Sequence, residues 1–337
     1  MPHILLTGAG FSRNWGGWLA DEAFEYLLST HQIDGGGIRD LLWKYKRSRG
    51  GFEAALGYLQ GQLIQHPHSE SAAQNVERLK GAILQMFGDM NKNFVKRRFE
   101  FQDDQQYSMG RFLAKFDAIF TLNQDLLLEQ RYIRGNYLQD SDSRWKQCET
   151  PGMERIITNE SMEPIEWRWS PFSDAKKFPH AHDVQPYLKL HGSSNWIDTI
   201  KGQHLLVMGG NKPDTIKQHA ILQWNHDRFN DHLSKPDTRL MIIGYSFGDE
   251  HINVAIRDAA EKGTLKLFII DSPYGLDVLT QTPPWPDGYL YERLQPHLMG
   301  GSRRPLAQTF GDDSVEHGKV MRFFGDSELM GFPTPRN

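Results

Sequence analysis

The stretch "LMIIGYSFGDEHINVAIRDAAEKGTLKLFIID", residues 240–271, decides the fold. Its two ends, 240–246 and 265–271, open on short apolar runs such as a strand covered on both faces needs. Between them, Ile252, Ala255, Ile256 and Ala259 share one helical face, Asp249 stands where a cap is wanted, and Gly263 can end the helix. Strand, helix and strand joined by short loops form a parallel unit, right-handed by default. The expectation is an α/β protein with a parallel sheet. In such sheets ligands bind outside the carboxyl ends of the strands, so those ends are where chemistry is sought.

Working outward, His3–Leu6 and "FDAIFTL" (116–122) read as further strands, and so does the start of "YLKLHGSSNW" (187–196). Ala20, Phe24, Leu27 and Leu28 keep a helical period, with Asp21 and Glu22 in the first turn, where the helix dipole favours acids. After a "GGG" break, helix-like stretches at 38–45, 52–64 and 71–87 suggest a helical module inserted over 35–110. Residues 131–186 keep no steady period and read as an insertion or lid. The tail from 276 is rich in Pro and Gly. The expected core is therefore 1–34 with 111–275, followed by a C-terminal extension over 276–337.

Composition bounds the function. With 39% hydrophobic residues among 337, a sizeable core is available. A net charge of −4 gives no general attraction to nucleic acid or to an anionic membrane. The basic run "KNFVKRR" (92–98) reads as a solvated helix face. Cys148 is the single cysteine, which excludes an internal disulfide and a four-cysteine zinc site. The first apolar run, "ILLTGAG", is short for a signal peptide, and no stretch is long enough to span a bilayer. A cytoplasmic location is expected, with no direct nucleic-acid or membrane partner.

Each strand end carries a polar signal with a plain alternative. Gly8-Ala9-Gly10 lets backbone approach a pyrophosphate, or merely allows a tight turn. Asn123 and Asp125 suit a ribose, or cap a helix. His191 suits a base at a strand tip, with Gly192 keeping its surroundings open, or is a satisfied structural histidine. Gly244 and Ser246 suit phosphate or ribose, or a turn. Asp271 can accept from both ribose hydroxyls of a nucleotide, or is a polar turn residue. Five such ends on one sheet make the plain alternatives jointly improbable.

Taken in order, Gly8-Ala9-Gly10-Phe11-Ser12, Thr121-x-Asn123-x-Asp125, Leu190-His191-Gly192-Ser193 and Gly244-Tyr245-Ser246 resemble the sirtuin pattern over residues 3 to about 272. Two Cys-x-x-Cys pairs are absent, and "RNWGGWLADEAF" follows Ser12. The resemblance is closer to the zinc-free, sirtuin-like NAD-cleaving domains of bacterial antiphage defence. It implies a Rossmann-like parallel sheet with helices on both faces, NAD as substrate and no metal. It also implies catalytic roles for Asn123, Asp125 and His191, with Gly8, Ala9, Gly10, Ser12, Thr121, Gly244, Ser246 and Asp271 around NAD.

The chemistry is consistent with that set. Nicotinamide in NAD is cationic and leaves as a neutral ring, so no general acid is needed, unlike in most glycosidases. An amide to place water, a carboxylate to steady the oxocarbenium charge and a base suffice. Product would be nicotinamide and ADP-ribose. An ungated enzyme would drain its cell, so gating by homo-oligomerisation or by a partner protein is expected. Other readings stay open: an NAD or ADP-ribose sensor, a zinc-free deacylase, or a metal hydrolase using His180, His182, Asp183 and His191.

Overall fold

Alternation of apolar side chains along short strands builds a two-faced sheet, and the computed structural model describes it over residues 1–47, 51–135, 137–138, 143–156, 166–200, 202–281 and 288–325. The strands are β1 (His3–Thr7), β2 (Ala118–Thr121), β3 (Gln147–Glu149), β4 (Met153–Ile156), β5 (Arg168–Pro171), β6 (Val184–Lys189), β7 (Gly192–Asp198), β8 (Gln203–Leu206), β9 (Arg239–Ile243), β10 (Lys266–Ile270) and β11 (Leu298–Ser302). The helices are α1 (Ala9–Arg13), α2 (Ala20–Leu28), α3 (Ile38–Arg47), α4 (Gly51–Gln65), α5 (Glu70–Val95), α6 (Met109–Ala114), α7 (Lys212–Lys217), α8 (Ala220–Leu233), α9 (Glu250–Lys262), α10 (Leu290–Leu294), α11 (Leu306–Thr309) and α12 (Ser314–Met321).

Seven strands pair in the order β11-β10-β9-β1-β2-β6-β3, and every pairing is parallel. The Rossmann-like expectation holds, and 240–271 folds as strand, helix and parallel neighbour. β10, β9, β1, β2 and β6 are contiguous in the sheet, so the strand ends singled out above emerge side by side.

The two faces carry two cores. Leu5, Ile119 and Met241 pack with Phe24, Leu42, Leu56, Leu79, Phe87 and Phe112 of α2 to α6, and with Leu306 and Val320 of α11 and α12. Ile4, Leu6, Phe120 and Ile242 pack on Phe229 of α8, Ile252 and Ile256 of α9 and Leu290 of α10. The helical stretches expected over 35–110 are α3, α4 and α5, and they join the first core rather than forming one of their own.

Two regions without a clear period hold sheet structure. Between 131 and 186, β3 joins the edge of the main sheet, while β4 and β5 belong to a second, four-stranded sheet with β7 and β8; residues 157–165 of that insertion lie outside the described residues. The C-terminal extension adds β11 beside β10. Among the described residues no helix is long and apolar enough to cross a membrane.

Candidate active site at the carboxyl edge of the sheet

The glycines after β1 meet backbone, and that backbone belongs to the loop after β9. Gly244 has φ +65°, and a Cβ there would lie 2.3 Å from Gly10 C and Phe11 N. A Cβ on Gly10 would lie 2.7 Å from Gly244 Cα. Hydrogen bonds from Gly8 N to Ile243 O (3.0 Å) and from Gly10 N to Gly244 O (2.9 Å) lock the two loops. Loop-to-loop packing thus demands these glycines, whatever they also do for a ligand. Ala9 and Ser246 are exposed beside them.

Asn123 follows β2 and ties that strand to the glycine loop. Its Nδ2 donates to Gly8 O (2.9 Å) and to Ser12 Oγ (3.0 Å). Its backbone N–H donates to Thr121 Oγ1 (3.0 Å), and Thr121 in turn accepts from Thr7 Oγ1 at 2.7 Å. Thr121 is 1% exposed, so it forms the floor under Asn123 rather than a ligand-facing group.

Asp125 is buried. Its carboxylate accepts from Leu127 N (3.0 Å) in an Asx turn, and it hydrogen-bonds Ser12. Ser12 therefore stands between the Asn123 amide and the Asp125 carboxylate. Burial pushes the Asp125 pKa up, against the pull of Lys189. Lys189 is 0% exposed and donates to Asp125 O and to Glu129 Oε1, both at 2.6 Å. Here a lysine inside an apolar run serves a polar cluster behind the site.

His191 leaves β6 beside the end of β2, since Leu190 N donates to Thr121 O at 2.9 Å. It is 2% exposed. Gly192 does not keep its surroundings open. It has φ +73° and a Cβ there would lie 2.1 Å from Leu205 O, because the chain turns at this point from the main sheet into the second one. His191 Nε2 is 3.0 Å from His251 Nε2 in the first turn of α9. His226 of α8 lies beside both, with ring centroids 6.4 Å from His191 and 5.4 Å from His251. Burial drives the His191 pKa well below 6.5, only partly offset by Asp249, and drives His226 down to about 4. The ligand atoms of the three imidazoles lie within 4.8 Å of one another, so one metal ion would fit among them.

Asp249 occupies the cap position of α9, but its side chain makes no capping bond. Instead Lys212 Nζ bridges Asp249 Oδ1 and Glu53 Oε2 of α4, each at 2.7 Å. Burial opposes the Lys212 charge, and the two carboxylates outweigh it and hold its pKa up. Tyr245 is 4% exposed and turns inward, its hydroxyl donating to Asn253 Oδ1 (2.9 Å) and accepting from Asp249 N (3.1 Å). Asp271, after β10, is half-buried, and burial raises its pKa to about 6.

The alternative metal-hydrolase set does not assemble. His180, His182 and Asp183 enter β6 at its amino end and His191 leaves at its carboxyl end. Six residues of strand put roughly 20 Å between them. His226 and His251 lie outside the strand-end pattern of the sequence. His251 carries a faint signal, two residues beyond a strand-end Asp; His226, mid-helix, carries none. Asn91 of α5 lies outside that pattern too. Its Nδ2 donates to Ser194 Oγ (3.1 Å) and its Oδ1 accepts from Leu126 N (2.9 Å), fastening both the β2 loop and the start of β7.

Residues 117–277 match the family model described as a SIR2-like domain. That stretch holds Asn123, Asp125, His191, Gly244 and Asp271; the glycine loop at residues 8–12 lies ahead of the match. The solved structure titled "Structure of Sir2Tm bound to a propionylated peptide" is similar with a TM-score of 0.38 and 12% identity, covering 95% of this chain and 94% of that one. No curated protein matches the chain. A zinc module of the Cys-x-x-Cys kind does not fit these residues, because the lone Cys148 is buried.

Proposed function

We propose that the protein cleaves NAD at the nicotinamide–ribose bond, giving nicotinamide and ADP-ribose, and serves as an antiphage effector by depleting NAD. The observation that carries this reading is the meeting of the glycine loop, Asn123 and His191 at adjacent strand ends. The defence role rests on the zinc-free sirtuin-like resemblance.

In this reading the glycine loop and Ser246 border the phosphates, and Asp271 takes the adenosine ribose hydroxyls. The amide of Asn123 faces the nicotinamide ribose and places water at the anomeric carbon. Asp125 acts at one remove, holding Ser12 and through it Asn123, so it is a positioning residue. His191 is neutral at pH 7 because of its burial, and is the base. A positioned base contributes roughly 10²–10⁴ in rate. His251 orients it through the 3.0 Å contact between their Nε2 atoms. Activity is gated by self-assembly or by a partner, since free turnover would empty the cell of NAD; constant full activity of the isolated monomer would sink that part.

The test is nicotinamide release from NAD by metal-stripped protein, alone and with its genomic neighbours co-expressed. His191→Ala should slow release by ~10² or more while NAD binding persists. The depth of His191 favours one second reading, a module that binds NAD without cleaving it. Binding with no nicotinamide released under any of these conditions would establish that reading instead.

A further inference from the structure

We propose that His191, His226 and His251 form a site for a divalent transition-metal ion of the zinc class, and that filling it silences the catalytic base; the second half rests on the NAD-cleaving reading above. The three rings come from three separate elements: the turn after β6, the middle of α8 and the first turn of α9. Their ligand atoms lie within 4.8 Å of one another, and the His191 and His251 nitrogens are 3.0 Å apart. Zinc–nitrogen bonds of about 2.0–2.1 Å at tetrahedral angles put ligand nitrogens roughly 3.3 Å apart. Small ring rotations therefore close the set.

The donor set is itself selective. Three imidazoles suit zinc, copper or nickel and offer nothing to magnesium or calcium, which take oxygen. His226 also has the outer bond that metal-binding histidines make: its Nε2 meets Leu190 O at 2.9 Å, which leaves Nδ1 as its free lone pair. The Asp249 carboxylate beside His191 and His251 supplies nearby negative charge, partly offset by the Lys212 ammonium that holds it in place.

An entry path exists that does not cross Asn123. A cavity of about 560 Å³ lies between α7, α8 and α9, with His226, His251, Asn230 and Asp258 in its wall. An ion arriving there meets His226 and His251 first and His191 behind them, and water from the cavity can take the fourth position. Once His191 gives its lone pair to the metal it cannot accept a proton. Metal occupancy and NAD cleavage are then mutually exclusive.

The probe is Co²⁺ added to the metal-stripped, untagged full chain. One equivalent should bind with the visible absorption of a tetrahedral site and be displaced by Zn²⁺. His226→Gln and His251→Gln should each weaken binding by ~10-fold or more, at least the cost of losing an outer-shell partner. Absence of stoichiometric binding by the wild-type chain, or wild-type affinity in both variants, would overturn the site. In the second arm, one equivalent of Zn²⁺ should suppress nicotinamide release, a chelator should restore it, and His226→Gln should be insensitive relative to its own stripped rate. Zinc bound without inhibition would overturn the silencing. If stripped protein releases no nicotinamide under any condition, the NAD-cleaving reading fails, and the cobalt titration still decides the site.

Discussion

At the scale of single residues, Asn123 has a structural duty beside its proposed catalytic one, and melting and turnover read them separately. Its Nδ2 holds Gly8 and Ser12, so Asn123→Ala removes two hydrogen bonds as well as the amide proposed to place water. Loss of the pair should cost about 1–3 kcal/mol. Asn123→Ala should thus melt earlier and turn over ~10² more slowly. Near wild-type melting would show those bonds to be slack. Asp271 sets a pH dependence. Its folded pKa of about 6 lies above the ordinary 3.8, so the folded chain holds this proton more tightly than the unfolded one. Stability without ligand should therefore fall as pH rises from about 4 through 6. A ribose whose hydroxyls donate to the carboxylate needs it ionised, so NAD affinity should rise through the same window. Isothermal titration at pH 5 and 7 checks this, and Asp271→Asn should flatten the response. NADP, whose 2′-phosphate would meet that charge, should bind more weakly. Lys266 cannot relieve the repulsion: it begins β10 and Asp271 follows its end, roughly 16 Å along the strand.

At the scale of elements, what the sequence made legible follows from periodicity. β9, α9 and β10 were readable because apolar residues repeat at the period of a buried strand or of an amphipathic helix. The strand-end residues were readable because a parallel sheet gathers its carboxyl ends on one edge. Asp125 reads from the sequence as a ribose ligand or a cap, and its side chain faces Ser12 and its own turn. The second sheet was not legible, since β4 and β5 are short and partly exposed, with no alternation to see. Nor were Asn91, His226 and His251, each a polar residue on a helix whose partners lie on other elements. Asn91 makes the clearest test of such a joint. Asn91→Ala would strand the buried Leu126 N–H and free Ser194, for about 1–3 kcal/mol. Turnover should drop with it although Asn91 touches no substrate, because the loop carrying Asn123 loses its brace. Asn91→Asp, which keeps an acceptor for Leu126, should recover part of both. The β1–β9 loop contact is a second joint. Gly10→Ala would drive a Cβ into Gly244 backbone at 2.7 Å, so its melting temperature should fall even without NAD. A variant that lost NAD binding at unchanged stability would instead give Gly10 wholly to the ligand.

At the scale of the whole molecule, the helical segment over 35–110 reads as an insertion in the chain but not in the packing. Leu56, Leu79, Ile83 and Phe87 share one buried cluster with Leu5, Ile119 and Met241 of the sheet. α5 runs 26 residues, Glu70–Val95, and carries both core side chains and the Asn91 brace. Lys212 ties Glu53 of the same segment to Asp249, next to His191. Removing the segment would strip α3, α4 and α5 from one face of the sheet, so excision should give an insoluble or unfolded chain rather than an ungated enzyme. A gate, if one acts, must therefore work without undocking these helices. Native-state hydrogen exchange tests the point directly. Amides in the middle of α5, from Leu79 to Met90, and amides of β1 should open together at the global unfolding free energy. A lower, separate opening energy for α5 would make the segment an independent unit, and would make its undocking a workable way to switch the site.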